Sequence, residues 1–120
     1  MTALQALHNF WSGFGLMAYD ENTVPDDAAL PYITYEASKD FFAPAIAQSV
    51  SIWYRSPSWV EITNKEQEIA DYIGRGGRMV ACDGGGMWIK RGQPWAQRLP
   101  DSQDSMIRRI TLNIEIEFLV

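Results

Sequence analysis

The most regular pattern of apolar and polar positions lies at the far end of the chain. Ile110, Leu112, Ile114, Ile116, Phe118 and Val120 alternate with Thr111, Asn113, Glu115 and Glu117. A period of two puts one set on each face of a strand, and a wet face opposite a buried one favours an antiparallel setting. A second alternating stretch runs from Ala45 to Ser56, with Ile46, Val50, Ile52 and Tyr54 on one face and Ala47, Ser49, Ser51, Trp53 and Arg55 on the other. Residues 31–37, Pro-Tyr-Ile-Thr-Tyr-Glu-Ala, are aromatic and β-branched and read as a strand, with proline at the start where its missing N–H does least harm.

Two stretches change to helical period. Leu4, Leu7 and Trp11, widened by Ala3, Ala6 and Phe10, make an apolar stripe behind a possible cap at Thr2, and Gly13 and Gly15 suit its end. The second helix follows Ser56-Pro57-Ser58-Trp59-Val60-Glu61. Ser58 and Glu61 have capping-box spacing, Pro57 fits a first turn, and Trp59, Ile62, Glu66, Ile69 and Ile73 lie along one stripe. Gly74, Gly76 and Gly77 close it. Residues 78–81 and 87–90 flank Asp83-Gly84-Gly85-Gly86 and predict a β-hairpin. The glycines lack the spacing and the following Lys-Ser/Thr of a phosphate loop, and a strand rather than a helix comes after them.

Three loops are expected, near residues 14–31, 38–44 and 92–105, each longer than the usual ~4–6 residues. The resulting order predicts an α+β fold over residues 1–120 as a single domain, with a mainly antiparallel sheet and two helices packed on one face. There is no internal repeat.

Composition narrows the function. Hydrophobic residues make up 47% of 120 and charged residues 21%, which is ordinary for a globular domain. The net charge is −5 and unevenly spread: ten acids against three bases up to Gly74, and five acids against seven bases from Arg75 onward. An acidic chain is poorly suited to gripping phosphate backbones, whose binding is driven by Lys and Arg. The N-terminal Met-Thr-Ala-Leu-Gln has no basic region or small-residue cleavage site and does not read as a secretory signal, and no apolar run approaches the ~20 residues that span a bilayer.

Catalytic chemistry finds little purchase. A single cysteine, Cys82, and a single histidine, His8, do not make a zinc site or a thiol nucleophile with its base. The Asp20-Glu21 and Asp26-Asp27 pairs lack the ligand spacing and turn glycine of a calcium loop. The expectation is therefore no enzyme, no cofactor and no metal. What stands out is the aromatic load, with Trp 5 and Tyr 5, some of it in the expected loops. Phe41, Phe42, Trp95 and Arg98 are the candidate interface residues.

At Leu30-Pro31-Tyr32-Ile33-Thr34-Tyr35-Glu36, at Ser51-Ile52-Trp53-Tyr54-Arg55-Ser56 before the Trp59 helix, at Gly85-Gly86-Met87-Trp88-Ile89-Lys90-Arg91-Gly92 with Pro94, and at Ile107-Arg108-Arg109-Ile110 before the last strand, the chain resembles the tail terminator, or tail completion, proteins of long-tailed bacteriophages. The resemblance implies a virion structural protein that forms a homo-oligomeric ring, commonly a hexamer. That ring caps the tail tube protein, stops tube growth and joins the tube to the head connector, with genomic DNA passing through the lumen without sequence-specific binding. It implies host cytoplasm during assembly and the virion neck afterwards, with no membrane partner. An acidic lumen would repel the DNA and let it slide. Subunits are expected to join sheets edge to edge, the last strand being one means. The alternatives are a head-side neck or connector protein of the same virion, and a cytosolic module for a small ligand or peptide.

Overall fold

The computed structural model describes residues 1–38, 45–101 and 103–119. Helix α1 spans Ala3–Ser12. Thr2 caps it: its hydroxyl accepts from the Gln5 amide while the Gln5 side chain accepts from the Thr2 amide, so two of the amides that a helix start leaves unpaired are satisfied. Strands β1 (Met17–Asp20), β2 (Tyr32–Tyr35) and β3 (Ile46–Arg55) follow, then α2 (Val60–Ile73), β4 (Arg78–Cys82), β5 (Gly85–Pro100) and β6 (Ile107–Leu119). They form a six-stranded sheet in the order β1-β2-β3-β6-β5-β4, antiparallel except for the β1–β2 pair. The fold is α+β, as the hydrophobic pattern predicts.

The last strand does not lie at an edge. β6 is flanked by β3 along its whole paired length (Ile46 opposite Ile116 to Arg55 opposite Ile107) and by β5 on its other side. Its alternation requires one covered face, and the long partners on both sides supply its hydrogen bonds. Edge-to-edge joining through β6 is therefore ruled out, and the sheet's own edges are β1 and β4.

Two expected loops contain strand. Met17–Asp20 adds β1 to β2 within the 14–31 segment. More consequentially, residues 91–100 are not a loop: β5 continues from the hairpin to Pro100 alongside β6. The continuation includes a bulge. Arg91 pairs with Ile114 and Ala96 with Leu112, so Gly92, Gln93, Pro94 and Trp95 all stand opposite Asn113. Asn113 pins the bulge by donating its side-chain N–H to the Pro94 carbonyl at 2.7 Å. Gly92 sits so close that a Cβ there would be 3.0 Å from the Asn113 carbonyl oxygen.

Both helices cover one face of the sheet. Leu7 and Trp11 of α1 and Ile62, Ile69 and Ile73 of α2 close on Ile33, Val50, Ile52, Met87, Ile89, Leu112, Ile114 and Ile116, which form one continuous core. Phe10 and Phe14 meet Tyr72 of α2 at ring distances of 5.9 and 5.4 Å, joining the two helices. The expected Ser58–Glu61 capping box does not form: α2 begins at Val60, and the Ser58 hydroxyl accepts from the Val60 amide at 3.3 Å instead. On the other face, Tyr19, Tyr32 and Trp53 stand in adjacent contact, and the Arg109 guanidinium lies 4.4 Å from the Trp53 ring centre. Beneath them Trp53 donates to Thr34, Arg109 donates to Ser51, and the Ser51 and Thr111 hydroxyls are hydrogen-bonded at 3.3 Å. This face is covered by its own long side chains, so the buried hydroxyls have partners.

Candidate functional site

Of the sequence-predicted contact residues, Phe41 and Phe42 lie outside the described residues. Trp95 and Arg98 come together on β5, in the seam where that strand meets α2. The bulge brings this about. Before it, the odd-numbered residues Met87, Ile89 and Arg91 stand opposite core residues of β6; after it, the even-numbered Ala96 and Arg98 do. Arg98 therefore points toward α2 rather than to the open face. Its guanidinium donates to the Thr63 hydroxyl at 3.3 Å and lies 4.7 Å from the Trp59 ring centre. Arg108 reaches the same ring at 5.2 Å, held by hydrogen bonds to the carbonyls of Ser56 and Pro57. Two cations on one indole exploit its negative face.

Trp95 is half-buried and packs against the core, and its indole N–H donates to the Glu66 carboxylate at 2.6 Å. Glu66 lies on the stripe of α2 between Ile62 and Ile69, which explains why an acidic residue belongs there: it accepts from the Trp95 indole N–H on β5.

The seam holds a row of hollows open to solvent. One of about 270 Å³ is lined by Trp59, Val60, Thr63, Asn64 and Arg98. Thr63 and Arg98 also line the next, of about 170 Å³, with Glu66, Ala96, Gln97 and Ile110. A third, of about 340 Å³, lies between Arg75, Arg91, Gly92, Gln93 and Trp95. It carries two guanidiniums and no carboxylate. Among the described residues, Arg75 and Arg91 have neither a hydrogen-bond nor an ion-pair partner; the salt bridges join Met1 to Asp83, Arg55 to Asp104, Lys65 to Glu68 and Lys90 to Glu117. Chemically, this hollow suits an anionic oxygen group, for which a planar guanidinium fork is the matching donor.

No family model, curated protein or solved structure matches this chain. Among the described residues, no group of three or more His, Cys, Asp or Glu is placed to hold a metal ion, and no helix is long and apolar enough to cross a membrane. The His8 Nδ1 and the Tyr35 hydroxyl are hydrogen-bonded at 2.9 Å. Burial of the Tyr35 phenol, and then the charge of Asp20, push its pKa above the ordinary value of 10.0. Tyr54 is raised likewise, by burial first and by Glu61 and Glu68 next. Both tyrosines are neutral, buried residues at physiological pH.

Arg75 and Arg91 escaped the sequence reading. The signal available was the change of charge sign at Arg75. It did not locate the arginines, because only the pairing of β5 with β6 brings residue 91 next to the end of α2.

Proposed function

We propose that this chain is a structural subunit that closes into a homo-oligomeric ring, in the manner of the tail terminators of long-tailed phages. In this reading the ring caps the tail tube and passes DNA through its lumen toward the head connector. The resemblance of the Tyr32, Trp53, Trp88 and Arg108 segments supports the choice of family. The observation that carries the assembly reading is the shape of the sheet. β4 pairs only with Gly85–Ile89, so from Lys90 to Pro100 the outer side of β5 has no strand partner among the described residues. β1 is open at the other end of the sheet order. Open strand edges invite pairing with another chain, and two different open surfaces on one subunit allow a head-to-tail contact, which makes a ring when its rotation closes. Exposed Met17 on β1 and Met79 on the edge strand β4, at 62% and 55%, add apolar area at the sheet's ends.

A small-ligand module is supported less well. The hollows along α2 and β5 are open rather than enclosed, and the largest of the three is lined by arginines. Native mass spectrometry across a concentration series, with and without magnesium, tests the proposal. A closed ring of fixed copy number is expected. A monomer at every concentration up to the millimolar range counts against it and favours the ligand-binding module.

A further inference from the structure

The two open ends of the sheet carry opposite charge, and neither is neutralised within the subunit. At the β5 side, Arg75 and Arg91 face the 340 Å³ hollow with no partner among the described residues. At the β1 side, the loop from Glu21 to Pro31 follows the strand. Asp20 is occupied locally, its carboxylate accepting from the Asn22 amide at 3.0 Å. Glu21, Asp26 and Asp27 are exposed and form no ion pair among the described residues. β1 and β5 are separated in the strand order by β2, β3 and β6, so the two charge sets belong to different parts of the sheet.

From this we infer that the acidic loop after β1 of one copy docks on the Arg75–Arg91 hollow of the next, with Asp26 and Asp27 as its carboxylates. The inference rests on the ring reading and supplies its interface. The contact is heterologous: the surface that gives the carboxylates is not the surface that receives them, so each copy binds one neighbour on each side. Charge complementarity fixes the register and suppresses the reverse arrangement, in which like charges would meet. Trp95 forms one wall of the hollow and donates its indole N–H to Glu66, which does not line it. The uneven charge of the chain, acidic before Gly74 and basic after it, thereby becomes an assembly code.

The test uses two charge-inverted variants of the full chain, R75E/R91E and D26R/D27R, studied alone and mixed. All four positions are exposed, so both variants are expected to fold, with circular dichroism and melting temperatures near those of wild type. Alone, each should need at least about tenfold higher concentration than wild type to assemble, and wild-type assembly should weaken with added salt. Mixed in equal amounts, the variants should regain assembly, with alternating copies resolved by native mass spectrometry, because each inverted surface then meets its complement. If wild type forms rings and both variants form them equally well alone, the inference is overturned and the ring reading stands. If both variants fold but the mixture stays unassembled, the pairing of these two surfaces is likewise overturned. If wild type itself never assembles, the ring reading fails and this interface fails with it.

Discussion

Replacing Trp95 asks whether its ring belongs to the monomer or to a neighbour. Most of the Trp95 surface is buried on the monomer's own core. A tryptophan offers about 200 Å², and once the part that alanine keeps and the polar indole nitrogen are set aside, truncation loses about 100 Å² of apolar contact, worth about 2.5 kcal/mol at ~25 cal/mol per Å². The lost donation to Glu66 adds about 1 kcal/mol, because the half-exposed carboxylate can turn to water rather than stay unsatisfied. Trp95→Ala should therefore lower stability by about 3.5 kcal/mol, or the melting temperature by roughly 10–15 °C, within the ~5–15 kcal/mol that a domain of this size possesses. Trp95→Phe keeps most of the packing and loses the N–H, so about 1 kcal/mol is expected. Urea unfolding followed by far-ultraviolet circular dichroism measures both, and a double-mutant cycle with Glu66→Ala should return a coupling of about 1 kcal/mol. If Trp95→Ala unfolds within about 0.5 kcal/mol of wild type, the ring is not anchored in the monomer and the packing argument fails.

Two further outcomes follow from local geometry. Gly77 has φ +86°, and an added Cβ would lie 2.5 Å from the Trp88 indole nitrogen and 2.8 Å from the Ile89 carbonyl oxygen; Gly77→Ala should cost about 3 kcal/mol in urea unfolding, whereas Gly76→Ala, with open space around it, should stay within about 0.5 kcal/mol, and equal stability of the two variants would refute the argument. The carboxyl of Asp104 is held below its ordinary 3.8, first by the backbone amide of Met106 and then by Arg55. A depressed folded pKa gives stability that is present above the unfolded value and lost as pH falls through the folded one; the melting-temperature gap between wild type and Asp104→Asn should accordingly be present at neutral pH and close below 3.8, and a gap that widens in acid would reverse the assignment.

The parts of the fold legible in the sequence are those where one physical signal dominates. β6 declares itself by alternation, α1 by Thr2 and its apolar stripe, and the hairpin by its glycines. The far half of β5 does not. Arg91-Gly92-Gln93-Pro94 has neither β propensity nor alternation, and its extended path is imposed from outside by β6, whose Arg108–Leu112 stretch would otherwise lack a partner on that side. Tertiary pairing overrides local preference there, and the misfitting residues are taken up in the bulge. The contact site inherits the same blindness. Trp95 and Arg98 are noticeable as residues, but their meeting with Glu66 and Thr63 depends on how many residues the bulge absorbs, which no spacing along the chain reveals.

The central position of β6 also governs how the molecule comes together in time. β1, β2 and β3 form one block and β4 with β5 another, and the sheet is continuous only through β6, which pairs Ile52 with Ile110 on one side and Trp88 with Glu117 on the other. Neither block can close its core until a strand synthesised after both has slotted between them. Such non-local closure makes for slow folding, and it leaves the inner margins of β3 and β5 bare in the meantime. A chain that inserts β6 last therefore has more open strand edges before that step than after it, and the yield of folded protein should depend on how quickly the insertion occurs.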